Sequence, residues 1–156
     1  MPDEIRVGSG RIAGSGDGTV RVWRGIPYAA PPVGAGRWRA PQPVPVWDGV
    51  RDATRFGADS VQAPMPASRA PSMSEDCLYA NVWSPADAAP GERPVMVWLH
   101  GGGFVGGSGA DARCEGTQLA GRGVVVVTFN YRAGLFGYLA HPALSGEANG
   151  RSGNYG

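Results

Sequence analysis

Residues Val95 to Phe104 read VMVWLHGGGF, an apolar run that ends in His100 and three consecutive glycines. Such a run suits the capture of developing negative charge by main chain. Glycines carry no Cβ, so backbone N–H groups approach a substrate carbonyl closely as its oxygen becomes anionic. The pattern points to an oxyanion hole. Three glycines in a row also exceed what a simple chain reversal requires. The usual companion, a nucleophilic serine on a G-x-S-x-G turn, occurs nowhere in the 156 residues.

The same loop satisfies a second pattern, because Gly101, Gly103 and Gly106 give G-x-G-x-x-G after an apolar strand. A dinucleotide site then needs a carboxylate near the end of the following strand to hold the ribose hydroxyls. Here that strand ends in Asn130-Tyr131-Arg132. A second match to the pattern, beginning at Gly8, has no strand–helix–strand context. Nucleotide binding is therefore set aside.

The elements that must position the loop follow from periodicity. Arg6 to Tyr28 alternates in short segments broken by glycine, with a turn over Gly14 to Gly18 and a strand from Thr19 to Arg24, which predicts antiparallel hairpins. Pro27 to Pro45 and Ala58 to Ser74 read as exposed loop, with Arg37-Trp-Arg on an extended stretch. Asp76 to Trp83 reads as a strand ended by Pro85, and Ala86 to Arg93 as a polar turn. Val95 to Leu99 and Val124 to Asn130 are near-continuous apolar strands of the kind parallel sheets bury on both faces. Ala110 to Ala120 between them supplies one short helix, capped by Ser108 or Asp111. Gly134 and Gly137 mark a turn, and His141-Pro142 opens a further loop. The expectation is an α/β fold in which hairpins lead into a mostly parallel sheet. One helix leaves about half of the covering layer to come from elsewhere.

Composition excludes several functions. All 14 basic residues are arginine, dispersed from Arg6 to Arg151, and the net charge is +1, so no phosphate-tracking surface for nucleic acid is expected. The N-terminus lacks an apolar signal core, and no apolar run is long enough to span a bilayer. A soluble, cytoplasmic protein is expected. Gly and Pro are abundant, at 26 and 14 residues, but they punctuate apolar runs without a period. Cys77 and Cys114 lie in no C-x-x-C pair and beside no histidine, so neither metal nor redox chemistry is indicated.

Eight motifs in order carry a resemblance over nearly the whole chain. They are Gly25-Ile-Pro-Tyr-Ala, Pro31-Pro-Val-Gly, Arg37-Trp-Arg-Ala-Pro, Ser74-Glu-Asp-Cys-Leu-Tyr, His100-Gly-Gly-Gly-Phe, Asn130-Tyr-Arg, Gly134-Leu-Phe-Gly-Tyr and Ser152-Gly-Asn-Tyr-Gly. In this order they resemble type-B carboxylesterases, the cholinesterase-like α/β-hydrolases. The resemblance implies the N-terminal portion of one α/β-hydrolase domain and hydrolysis of uncharged carboxylic esters by a Ser, Glu or Asp, His triad, with no metal or cofactor. It makes Gly102 and Gly103 the oxyanion donors, with Gly101 and His100 shaping the turn and Phe104 walling the substrate pocket. It also pairs Arg37 with Glu75 in a structural salt bridge.

Two departures qualify what the resemblance implies. Secreted members pair the cysteine at Cys77 with one upstream, but the matching position is Ser60, which leaves Cys77 a free thiol suited to a reducing compartment. Neither His100 nor His141 matches the catalytic base, so His141 is expected to pack in a loop. The triad must then lie in a C-terminal portion, and the chain alone is expected to be inactive. Three accounts remain open: one piece of a two-piece esterase, nicked in Ala143 to Gly156; a non-catalytic binding module; or an inactive truncated fragment with an unpaired edge at Val124 to Thr128. The Arg-only, Ala, Gly and Pro-rich usage suggests a bacterial gene.

Overall fold

Alternating side chains in the first third of the chain form the expected hairpins. The computed structural model describes residues 3–89, 91, 93–147 and 150–156. In it β1 (Asp3–Val7), β2 (Gly10–Gly16) and β3 (Val20–Pro27) run antiparallel in sequence order. Gly18, with φ of 88°, makes the β2–β3 turn, and the Asp17 carboxylate accepts from the N–H groups of Thr19 and Val20 there. A short β4 (Val50–Asp52) lies parallel to β2. β5 (Tyr79–Pro85) pairs antiparallel with β3 across a bulge between Trp23 and Ile26. Gly25 sits inside that bulge at φ 64°.

The glycine loop joins β6 (Val95–Leu99) to β7 (Val125–Phe129) by way of α1 (Thr117–Ala120), and the two strands pair in parallel from Val95↔Val125 to Leu99↔Phe129. β7 also pairs antiparallel with β5, so the sheet is mixed, in the order β1-β2-β3-β5-β7-β6. One face gathers Val20, Val22, Trp83, Ala120 and Val126, and the other Ile12, Trp23 and Ala53. Trp83 is fully buried at the centre; truncating such a side chain to alanine costs about 3–5 kcal/mol.

Several expectations are corrected. β6 is not buried on both faces: its five residues are all exposed, Val97 by 52% and Leu99 by 66%. The unpaired apolar edge is therefore β6 and not Val124 to Thr128, which is held between β5 and β6. The helix expected over Ala110 to Ala120 is broken by Glu115 and Gly116 into a 3-10 turn at Ala112–Cys114, capped by the Asp111 carboxylate, and the separate α1. The strand read from Asp76 begins at Tyr79 and includes Pro85. The glycine-bearing segment after Tyr131 is helical, as α2 (Gly134–Tyr138), and His141-Pro142 starts α3 (Pro142–Glu147). Proline suits a first helical turn, because its missing N–H would have had no partner there. His141 is exposed, and its Nδ1 accepts from the Ala143 N–H, so it caps α3 instead of packing in a loop.

The segment read as exposed loop, Ala58 to Ser74, is tied down. Asp59 and Ser60 are buried, and Asp59 accepts from the hydroxyls of Ser68 and Ser108 at 2.5 and 2.6 Å. Positions 90 and 92 of the polar turn at Ala86 to Arg93, and 148 and 149 of the nicking segment at Ala143 to Gly156, lie outside the described residues.

An apolar strand with unpaired main-chain groups is a template for association. The chain expressed alone is expected to self-associate through β6, and Val97→Lys to reduce that association in light scattering. Equal association of the variant would place the contact elsewhere.

Candidate active site

The loop from His100 to Gly109 leaves the end of β6 and is fixed at both ends by polar side chains, half-buried at its start and buried at its end. At its start the His100 ring stacks on Tyr131, with centroids 4.1 Å apart and planes 10° from parallel. The Tyr131 hydroxyl donates to the His100 carbonyl at 2.6 Å. At its end the Gly109 N–H donates to Asn130 Oδ1 at 2.7 Å, while the Gly109 carbonyl accepts from Thr128 Oγ1 at 2.6 Å and Asn81 Nδ2 at 3.3 Å. Asn81 and Thr128 are cross-strand neighbours on β5 and β7. Sheet register thus delivers two polar groups to one carbonyl. A Cβ on Gly109 would sit 2.7 to 2.9 Å from the Phe129 backbone, too near for any other residue.

Between these anchors Gly101, Gly102 and Gly103 are exposed. Gly102 has φ of 144° and Gly103 of 60°, and a Cβ on Gly102 would run into the Gly106 carbonyl. The Gly102 carbonyl accepts from the Val105 N–H at 3.1 Å. No acceptor among the described residues meets the N–H of Gly102 or Gly103. Phe104 follows in the left-handed region at φ 66°, with its side chain 65% exposed and its ring 4.8 Å from that of Tyr138. Its carbonyl accepts from the Gly134 N–H at 2.6 Å, which ties the loop tip to the start of α2. An open cleft of about 680 Å³ lies against the loop, lined by Gln62, Met65, Trp98, Gly101, Gly102 and Val105 among others.

His100 is buried, and desolvation holds its imidazole below the usual 6.5, with a weaker opposing contribution from the Gly101 carbonyl. The neutral ring, protonated on Nδ1, donates to that carbonyl at 3.1 Å. Its Nε2 is buried without a partner among the described residues. His100 thus orders backbone; Asp59 and Asp111 act on it only through space, and no carboxylate among the described residues is hydrogen-bonded to its ring as a general base would require.

Arg37 and Glu75 form a two-pronged ion pair, Nε to Oε2 at 2.5 Å and Nη2 to Oε1 at 2.6 Å. Each partner lowers or raises the other toward its charged form, chiefly through the shared hydrogen bonds. The side chains are 38% and 20% exposed, so this is a half-exposed pair and not a buried one. It lies outside the glycine loop and holds the stretch whose Trp38 donates its indole N–H to the Leu135 carbonyl of α2. Cys77 is buried and free, and burial pushes its thiol up to about 11, partly offset by a hydrogen bond with Ser60.

Among residues that local spacing left unassigned, Gln62, Asn81, Asp59 and Thr128 all serve the loop. Arg132 is buried without a carboxylate and donates from Nε to the Tyr155 carbonyl and from Nη1 to the Arg39 carbonyl. Among the described residues no group of three or more His, Cys, Asp or Glu side chains is arranged to hold a metal ion, and no helix is long and apolar enough to cross a membrane.

Burial that depresses the His100 pKa makes its neutral form the one the fold prefers. That contribution is complete above pH 6.5 and is lost as pH falls below 6.5 through the lower folded value. Carboxylates such as Glu75 and Asp111, whose folded values are lowered from 4.5 and 3.8, lose theirs only in more acidic solution. The urea midpoint of wild type is expected to fall between about pH 7.5 and about pH 5.5, and that of His100→Gln to fall less. Equal slopes would remove His100 as the titrating group.

The model of the carboxylesterase family matches residues 2–156. The chain is 56% identical over 151 residues to the fumonisin B1 esterase of Sphingopyxis macrogoltabida, covering 95% of this chain and 28% of that protein. It is 46% identical over 135 residues to the para-nitrobenzyl esterase of Bacillus subtilis strain 168, covering 83% and 27%. Among solved structures, a PNB esterase superposes with a TM-score of 0.86 at 41% identity, covering all of this chain and 32% of that one. A carboxylesterase of Geobacillus stearothermophilus gives 0.87 at 44%, covering 98% and 31%. The fold is that of the N-terminal portion of an α/β-hydrolase, and the chain spans under a third of the length of these relatives. A family match over residues 2–156 and a shared fold at more than 40% identity agree with the eight ordered motifs: this chain belongs to the carboxylesterase family.

Proposed function

We propose that this chain supplies the oxyanion hole of a serine carboxylesterase whose nucleophile, acid and base come from the length that its relatives carry beyond it. The observation that supports this most directly is the pair of unpartnered N–H groups at Gly102 and Gly103, on an exposed glycine stretch whose ends are fixed by Tyr131 at the His100 carbonyl and by Asn130 at the Gly109 N–H. Unpaired donors held by a rigid frame need no reorganisation when charge develops before them.

In this reading an ester carbonyl lies over Gly102 and Gly103. A serine oxygen attacks it, its proton passing to the histidine of the triad, and the carbonyl oxygen becomes an oxyanion held by the two glycine N–H groups. The N–H after the serine supplies a further donor. Collapse expels the alcohol, which takes the proton, and water then releases the acid from the acyl-enzyme by the same route. Phe104, exposed beside the donors, forms one wall of the acyl or alcohol site, and Gly101 leaves room at the entrance. Arg37 and Glu75 serve stability.

The partner is the rest of the hydrolase domain, as one polypeptide or as a second piece, and the exposed β6 edge is where it joins the sheet. Uncharged carboxylic esters are the substrate class. Two free thiols, one with its pKa raised to about 11, suit a reducing compartment such as the cytoplasm.

Two measurements test this reading. Fluorophosphonate treatment, followed by denaturing mass spectrometry, is expected to leave residues 1–156 unlabelled and to mark a serine in the remaining portion. Turnover of an aryl ester by the isolated chain would contradict it. In the full-length protein, Gly102→Ala keeps the N–H but forces it out of place, because its Cβ cannot fit against the Gly106 carbonyl, and kcat is expected to fall by up to about 10²–10³-fold, the loss seen when one oxyanion donor is removed. A variant with unchanged kcat would move the hole off this glycine.

A further inference from the structure

The loop's donors are flanked by a contact that comes from far away in sequence. Gln62 lies 45 residues before Gly107, yet its side-chain amide pairs with that one residue in both directions: Nε2 donates to the Gly107 carbonyl at 2.8 Å, and Oε1 accepts from the Gly107 N–H at 2.5 Å. A single side chain thus reproduces the two hydrogen bonds a neighbouring strand would make. Gly107 has φ of 128° and no room for a Cβ beside the His100 ring, and a Cβ on Gly106 would strike Gln62 Oε1. The amide, Gly106 and Gly107 are therefore fitted together without slack. Beyond them the Gly106 carbonyl lies directly behind Gly102, close enough to exclude any side chain there.

Gln62 is itself anchored. Its segment is held by Asp59, which accepts from Ser68 and Ser108, by Asn130 Nδ2 donating to the Ala58 carbonyl at 2.9 Å, and by Ser60 Oγ accepting from the Ala133 N–H at 2.9 Å. The Asn130 that holds Ala58 also holds Gly109. Gln62 is thus a rigid post on the same frame as the loop's end.

We infer that Gln62 is a positioning residue for the oxyanion hole, acting through Gly107 and Gly106 to hold the Gly102 N–H in line with the developing charge. The inference rests on the esterase reading above. Gln62 touches no reacting atom. Its loss leaves both donors in place but lets the loop from Gly101 to Gly107 sample other arrangements, which lowers rate more than substrate binding because donor alignment matters most at the transition state.

The experiment uses the full-length protein with wild type, Gln62→Ala and Gln62→Glu. Active sites are titrated with a fluorophosphonate so that misfolded molecules drop out of the rate. Gln62→Ala is expected to lower kcat per titrated site by about tenfold or more, with KM for an aryl ester changed by less than about twofold. Amide exchange is expected to quicken at Val105, whose N–H is held by the Gly102 carbonyl, and to stay unchanged over Val125–Phe129. Gln62→Glu keeps an acceptor for the Gly107 N–H but sets a carboxylate against its carbonyl. Its rate relative to wild type is expected to recover as pH falls from about 8 to about 5.5, where a carboxyl facing an acceptor regains a proton. An active wild type with unchanged kcat and unchanged loop exchange in Gln62→Ala overturns the inference alone. A wild type without ester hydrolysis overturns the esterase reading and with it the catalytic role of Gln62, while the exchange data still decide whether Gln62 holds the loop.

Discussion

A glycine loop that dips into a protein interior brings bare peptide groups with it, and each must find a partner or cost about 1–3 kcal/mol in desolvation. In this chain the demand is concentrated at Gly109, whose N–H and carbonyl are answered by Asn130, Thr128 and Asn81. Asn81 and Thr128 are thus buried on strands that also bury Trp83 and Val126, and Asn130 is buried just past the end of β7. The sheet's register exists in service of this point: Asn81 and Thr128 reach the same carbonyl because they are paired across β5 and β7. Asn130 then extends the frame to Ala58, and the Tyr28 hydroxyl holds the Asn130 carbonyl at 2.5 Å.

That frame accounts for what the sequence revealed and what it hid. The glycine loop was legible because its parts are contiguous: strand, histidine and glycines follow one another, and the chain path alone brings them together. The hairpins were legible because period-two alternation survives wherever one face of a strand meets the core, as in Ile12 and Trp23. Gln62 was not legible. Its partner is 45 residues away, and a lone glutamine in a stretch rich in Pro, Ala and Ser resembles a solvated loop residue. The same stretch hid Asp59, whose burial follows only from the hydroxyls of Ser68 and Ser108 converging on it.

The errors over β6 and the short helices have different origins. An apolar strand reads the same whether its cover is present or supplied from outside, so VMVWL signalled burial that residues 1–156 do not provide. α2 contains Gly134 and Gly137, which lower helix propensity by about 1 kcal/mol each. It forms because Gly137 must lie against the Arg132 carbonyl and because the Leu135 carbonyl receives the Trp38 indole. For α3 a signal was available in Pro142 preceded by a capping histidine, and it was outweighed by the glycine and serine around it. Tertiary contacts, and not local preference, decide α2; a local cap decides α3.

The exposed edge of β6 has a geometric implication for anything that pairs with it. A strand added alongside β6 in parallel would finish at the same end as Leu99, next to His100, because parallel neighbours advance together. Residues along a strand are spaced about 3.3 Å apart, and a slip of one residue also turns each side chain to the opposite face. A hydrogen bond tolerates only a few tenths of an ångström. Main-chain pairing along five residues of β6 would therefore act as a ruler, setting the reach between the glycine N–H groups and whatever stands at the tip of the next strand. Catalytic alignment would be inherited from strand addition, decided before any substrate arrives.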